Sequence, residues 1–262
     1  MTTTEYLLDS TTDLGAEQLD CLSELLDPAS QQFISEVTAL PGQRCLDIGS
    51  GNGSMARWIA ERVRPGEVTA VDLTDSYLRV PSDVTVRLAD VNEQLPPGLF
   101  DVIHTRLLLM HLSRRRQLVG ELANALGPGG WLFIGDQVFS ELRVVSAASE
   151  ADAELFTSVI EATINQVGRP GGINYEWGRQ IDAELTRAGL INVDSTEITS
   201  TGRGGSTAAR LLSNYIRQVT GPLLALGLGE DELDRFHALT ADPRLRFWFF
   251  SFICSRGQKP LT

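Results

Sequence analysis

Residues Cys45–Trp58 read CLDIGSGNGSMARW: a short apolar run, three alternating glycines, and the opening of an amphipathic helix. Gly49, Gly51 and Gly53 carry no Cβ, so the backbone can turn sharply and a ligand can lie directly on it. The positive end of the following helix favours a carboxylate or phosphate there. A nucleoside triphosphate, a dinucleotide and a sulfonium cofactor can all be cradled this way. The first needs a GxxxxGK[ST] loop, and no lysine is available here. The dinucleotide fingerprint GxGxxG places its third glycine at position 54, which is serine, and Asp47 puts a negative charge close to any pyrophosphate. An acid at that place suits a ligand carrying an amine and a sulfonium.

Outward from the turn, strands and helices alternate. RCLDIG (44–49), EVTAVD (67–72), VTVRLAD (84–90), FDVIHT (100–105) and WLFIGD (131–136) read as five strands. A helix from Ser54 to about Val63 turns Ala56, Ile59 and Val63 inward. A second, RRRQLVGELANAL (114–126), is expected to stop at Gly127-Pro128-Gly129-Gly130. Crossovers of this kind imply a parallel sheet covered by helices on both faces. Ahead of the core, 15–26 and 30–40 read as two helices with Pro28 between them. Residues 138–175 read as helical without a strand, 175–190 as a helix closed by Gly189, and 191–199 as a sixth strand. Two more helices (206–219 and 228–240) precede LRFWFFSFICSRG (245–257), expected as one long final strand. The economical organisation is a single domain over 1–262: N-terminal helices in 1–40, a cofactor-binding core in 41–136, and helical lid insertions in 138–175 and 203–242.

The bulk numbers exclude several classes. A net charge of −12 disfavours nucleic acid, whose binding is mainly electrostatic. No apolar run reaches the roughly 18–20 residues of a membrane helix, and the N-terminus lacks the basic-then-apolar pattern of a secretory signal. Three scattered cysteines form no CxxC pair, which argues against a disulfide framework or zinc site and for a reducing cytoplasm. Arg114-Arg115-Arg116 is the one basic run, most simply a solvated helix face.

Two further carboxylates bear on the ligand. Asp72 ends the second strand, where it can accept both hydroxyls of a ribose, a feature shared by NAD and S-adenosylmethionine sites. Asp90 closes the third, at a height that lets it accept from an adenine amino group. LDIGSGNGS (46–54), VTAVD (68–72), LAD (88–90), FDVIHTRLLLMHL (100–112) and LGPGGWLFIGD (126–136), in this order, resemble the class I S-adenosylmethionine-dependent methyltransferases, the small-molecule branch in particular. The resemblance covers Pro41 to Asp136 strongly and extends to the final strand. It implies a Rossmann-like α/β fold: a seven-stranded, mostly parallel sheet, its last strand antiparallel, with helices on both faces.

It also implies a site. Asp47, Gly49 and Gly51 would contact the methionine part, Asp72 the ribose, and Leu73, Ala89, Asp90 and Val91 the adenine. His104 and Arg106 would lie beside the sulfonium and the methionine carboxylate, and Tyr6 would fold over the cofactor. Methyl transfer needs a positioned nucleophile and, for a hydroxyl, a proton acceptor; no metal is required. His104, His111 and Asp136 are the candidates, with His237 more remote, and Phe156, Tyr175, Trp177, Leu212, Tyr215 and Phe236 could wall an apolar acceptor. The expected activity is methylation of a small, partly apolar organic molecule in specialised metabolism, by a chain compatible with a homodimer. The alternative is a protein that binds S-adenosylmethionine without transferring its methyl, and uses it to assist a cyclisation or rearrangement or only binds it.

Overall fold

The computed structural model describes residues 11–38, 41–139 and 143–262. In chain order, α1 (Asp13–Ser35) leads to β1 (Arg44–Ile48), α2 (Ser54–Val63), β2 (Glu67–Asp72), β3 (Val84–Leu88), β4 (Phe100–Arg106), α3 (Arg115–Asn124) and β5 (Leu126–Val138). Next come β6 (Val144–Ser146), α4 (Glu150–Ala162), α5 (Ile181–Arg187), β7 (Ile191–Ile198) and β8 (Thr201–Arg203). The chain finishes with α6 (Thr207–Gln218), α7 (Thr220–Ala225), α8 (Glu230–Ala241), β9 (Arg246–Trp248) and β10 (Ser251–Gln258).

Contacts divide the chain into two compact units. One comprises Leu26–Val138, Asn174–Ile198 and Phe252–Thr262. Its seven-stranded sheet has the order β3-β2-β1-β4-β5-β10-β7. β1 runs parallel to β2 and β4, β2 to β3, and β4 to β5, while β10 runs antiparallel to β7. This is the Rossmann-like sheet expected from the sequence. Its central strands are apolar on both faces because both are covered: Cys45, Leu46, Ile48, Val102, Ile103, Leu132 and Phe133 are all buried. In α2, Ala56, Ile59 and Val63 face the core as their spacing demands. The strand order changes direction at β1, since β2 lies on one side of it and β4 on the other, and ligands of such sheets sit at that point.

The other unit gathers the described residues of Met1–Leu25 with Phe139–Ile173 and Thr199–Ser251. It holds a small sheet of order β6-β9-β8, antiparallel throughout. Phe156, Phe236 and Phe247 form its core, with ring centroids 5.2 and 5.1 Å from Phe156. Ser149 and Ser206 cap α4 and α6 by accepting from backbone amides.

Four sequence expectations are corrected. Pro28 does not separate two helices; α1 runs through it. An interior proline costs about 3 kcal/mol, but Leu22, Leu26, Phe33 and Ile34 are all buried along this helix, and each such side chain returns about 1.5–3 kcal/mol. The helix at 114–126 ends at Asn124, ahead of the glycines, and Gly127–Gly130 belong to the start of β5. Segment 138–175 contains a strand, β6, which pairs with β9. The long final strand is two: Arg246–Trp248 pairs in the small sheet and Ser251–Gln258 in the large one. β propensity is continuous across 245–257 and carries no information about which partner each half takes.

Candidate functional site

The glycine turn after β1 is built as the sequence requires. Gly49, Gly51 and Gly53 have φ of 69, 55 and 79°, in the left-handed region. A Cβ on Gly53 would come within 2.7 Å of the Val80 side chain and 3.0 Å of the Arg79 carbonyl, and one on Gly49 within 3.3 Å of Leu108. The turn is thus closely packed at Gly49 and Gly53.

Register sets its neighbours. Ile48 pairs with Val71 on one side and Thr105 on the other, so Asp72 and Arg106 flank β1 at the level of Gly49. Asp72 is not idle: one oxygen accepts from the Gly51 amide at 2.8 Å and the other from the Leu73 amide at 2.7 Å. Burial raises its pKa above the ordinary carboxylate value despite these bonds, and the nearby Asp47 adds to the rise. Leu73 beside it is 67% exposed, an apolar surface next to a carboxylate. From β3, Ala89 donates to the Asp72 carbonyl, Asp90 caps the Asn92 amide at 2.8 Å and Val91 is buried.

Asp47 and His104 pair across β1 and β4, Oδ1 to Nδ1 at 2.7 Å, both almost fully buried. The second Asp47 oxygen, Oδ2, is buried with no hydrogen-bond partner. A buried carboxylate oxygen is costly to leave unsatisfied, and Asp47 stands two residues before Gly49, where the turn begins. The His104 ring also lines a crevice of about 10 Å³ with Ser30, Phe33, Phe133 and Cys254. That is at the lower limit for one water. Arg106 points to α1: it meets Asp27 at 2.7 Å and Ser30 Oγ at 3.4 Å, and Ser54 Oγ donates to the same Asp27 oxygen at 3.1 Å. Tyr6 lies outside the described residues.

Comparison with known proteins accords with this geometry. A family model described as "Methyltransferase domain" matches residues 46–134, from β1 into β5. Residues 46–134 thus resemble a methyltransferase domain. It is 30% identical over 128 residues to a methyltransferase, str3, of Strobilurus tenacellus, covering 48% of this chain and 46% of that protein. It is 26% identical over 218 residues to the 27-O-demethylrifamycin SV methyltransferase of Amycolatopsis mediterranei, covering 79% and 75%. Among the first curated relatives it matches, the aligned stretch spans about half of their length or less. A phosphoethanolamine N-methyltransferase 2 of Haemonchus contortus, solved with phosphomonomethylethanolamine and S-adenosylhomocysteine, superposes with a TM-score of 0.61 at 18% identity, over 99% of this chain and 61% of that one. That likeness establishes the fold.

The fold does not bring the three catalytic candidates together. His104 registers with Phe133 of β5, so Asp136, an odd number of residues further along that strand, faces the opposite side of the sheet. Asp136 is fully buried, and neither oxygen closes a hydrogen bond of normal geometry. Burial pushes its pKa well above the carboxylate range, and the Met110 amide and Arg115 guanidinium pull only weakly back. His111 sits in a single helical turn (Leu109–His111), its pKa driven down to about 4 by burial and then by Arg115. Arg115 donates to the Leu109 and Met110 carbonyls and lies over the Trp177 ring, 5.8 Å from its centroid. His237 belongs to the other unit, where its Nδ1 meets Ser213 Oγ at 2.8 Å. Phe156, Trp177, Leu212 and Phe236, expected as acceptor walls, are buried core residues here.

The arginine run is structural. Arg114 bonds the Asn92 carbonyl and Glu121, Arg115 the carbonyls above, and Arg116 Gln180 and Glu184. Sequence reasoning missed Asp27, Thr105, Gln137 and the indole nitrogen of Trp177, the last three each holding a buried unpartnered polar atom. A strand-end position was the only available signal for Thr105 and Gln137, and Asp27 had none. Among the described residues, no group of three or more His, Cys, Asp or Glu is placed to hold a metal. No helix among them is long and apolar enough to cross a membrane.

Proposed function

We propose that the protein binds S-adenosylmethionine at the β1 turn and transfers its methyl group to a small, partly apolar organic acceptor in specialised metabolism. The observation that carries this reading is the orphaned Asp47 Oδ2 beneath a closely packed turn of three left-handed glycines. An ammonium and sulfonium ligand would give that oxygen a partner, whereas a pyrophosphate would be repelled. The methyltransferase domain match, a relative named as a methyltransferase and another named as the 27-O-demethylrifamycin SV methyltransferase support the same reading.

In this site S-adenosylmethionine supplies an electrophilic methyl group on sulfur. Gly49 and Gly51 give it bare backbone, Asp47 faces its ammonium, and Asp72, already fixed by two amides, faces its ribose. Leu73, Ala89, Asp90 and Val91 border the adenine. Positioning of this kind supplies several kcal/mol of the barrier. His104 is held through Nδ1 by Asp47, which leaves Nε2 as a proton acceptor for a protonated nucleophile.

Titration calorimetry with S-adenosylmethionine, followed by incubation of methyl-labelled cofactor with candidate acceptors, tests the reading. Label in the acceptor with stoichiometric S-adenosylhomocysteine is expected. Turnover of an acceptor without either would overturn methyl transfer in favour of a non-methylating use of the cofactor. His104→Asn, which retains a donor toward Asp47, should lower kcat and leave cofactor affinity near wild type.

A further inference from the structure

The two edges of the seven-stranded sheet are finished differently. β7 closes one end of the strand order and β3 the other. An edge strand offers a row of unpaired amides and carbonyls to any further strand, and proteins blunt such edges with bulges and charges. β7 has both. Its register against β10 shifts between Arg256 and Gln258, where Asn192 takes a φ of 52°. Asp194 and Glu197 stand along it, paired with Arg256 and Arg179. β3 has no bulge and a single charge, Arg87. Residues 85–88 are all exposed. Alternation puts Val84, Val86 and Leu88 on one face, the last two 39% and 57% exposed, and Thr85 and Arg87 on the other. Ala89 donates inward to the Asp72 carbonyl, so the amides and carbonyls of Val86 and Leu88 point away from β2. Among the described residues, no strand takes them up.

We propose that β3 pairs antiparallel with β3 of a second copy of this chain, about a twofold axis through Val86. The strand's own order selects that partner. In this register Val86 faces the partner's Val86, Val84 faces the partner's Leu88, and Arg87 faces the partner's Thr85. Apolar thus meets apolar, and no charge stands directly opposite its like. All five residues of the strand are paired, and the outward groups of Val86 are those that a hydrogen-bonded antiparallel pair exchanges. A twofold through Arg87 would instead set guanidinium against guanidinium. Five residues a side make a small interface, so the dimer is expected to be weak, with a Kd on the order of 10 µM. The pairing stands apart from the cofactor reading, and its test contains no ligand.

Sedimentation velocity on the full chain from about 1 to about 200 µM reads the association, with thermal melts to establish that each variant folds. Wild type should shift from monomer to dimer across that range. Val86→Lys sets two ammonium groups opposite each other on the axis and should leave a monomer throughout. Thr85→Glu sets a carboxylate against Arg87 of the other copy, two pairs per dimer, and should tighten association by about two- to thirtyfold. Thr85→Arg should weaken it by a similar factor. Thr196→Lys, on the exposed β7 edge, should leave it unchanged. A wild type that is monomeric at every concentration, or a dimer that survives Val86→Lys, would overturn the pairing. Weaker association in Thr85→Glu would overturn the register through Val86.

Discussion

The two compact units handle buried polar atoms differently. Among the described residues, six of the seven side-chain atoms that are buried without a partner lie in the unit of the seven-stranded sheet: Asp47 Oδ2, Thr105 Oγ1, both oxygens of Asp136, Gln137 Nε2 and Trp177 Nε1. All but Trp177 Nε1 sit at or near the carboxyl ends of β1, β4 and β5. The other unit has one, Gln218 Oε1, within a network that is otherwise closed. There Asn214 donates to the Leu14 carbonyl and Glu17, and Gln218 donates to Gln18 and Asn214. Folding alone selects for satisfied polar groups. A concentration of unsatisfied ones at a single sheet edge therefore marks where selection has favoured something other than stability, and the glycine turn lies at that edge.

The largest effect expected from this contrast is at Asp47. Asp47→Asn keeps an oxygen for His104 Nδ1 but removes the charge behind Oδ2. Affinity for S-adenosylmethionine should fall by about 2–3 kcal/mol, roughly a hundredfold, while the thermal midpoint moves little. Calorimetry with the folded variant checks it, and unchanged affinity would show that the orphaned oxygen does not face the ligand.

Asp136 and His111 sharpen the comparison through pH, with opposite signs. Asp136 keeps its proton in the folded chain at pH values where the unfolded chain has lost it. Its stabilising contribution is complete below the ordinary carboxylate pKa of about 4 and is lost as pH rises through the raised value. His111, depressed to about 4, contributes above the ordinary imidazole pKa and loses that contribution as pH falls from about 6.5 toward 4. Denaturant unfolding across pH 4–9 should show both limbs. Asp136→Asn should flatten the alkaline limb and stabilise the chain at pH 8 by about 1–3 kcal/mol. His111→Gln should flatten the acid limb by about 1–3 kcal/mol. An Asp136→Asn variant less stable than wild type at pH 8 would mean that the ionised carboxylate is the form the fold needs.

Sequence and structure agree where a local pattern sufficed. β1, β2, β3 and β4 were legible because parallel strands are short apolar runs bounded by turn residues, and α2 because Ala56, Ile59 and Val63 repeat at helical spacing. The cradle was legible because glycine adopts without strain the left-handed φ values found at 49, 51 and 53. What stayed hidden depends on partners distant in sequence. Nothing in LLDPAS announces that Asp27 reaches Arg106, and a proline there argues for a break that burial of Phe33 and Ile34 overrides. The three arginines at 114–116 read as one cluster, yet each is consumed by a different acceptor. Asp136 stands at a strand end, the position of an open site residue, and only its full burial, with Met110 and Arg115 beside it, reveals that it is sealed.

The smallest expected effect tests the other side of the comparison. Ser213 and His237 resemble a catalytic pair in composition: a hydroxyl on an imidazole nitrogen at 2.8 Å, with Phe236 edge-on to the ring. Burial and the charge of Arg217 lower the His237 pKa, so the neutral ring is favoured and the bond to Ser213 is a neutral one. A neutral hydrogen bond that is only partly buried contributes about 0.5–1.5 kcal/mol. Ser213→Ala should therefore lower stability by that amount and leave S-adenosylmethionine affinity where it was, because the pair already satisfies itself. A tenfold change in affinity with stability unchanged would move His237 into the site and dissolve the division between a unit that closes its polar groups and one that holds them open.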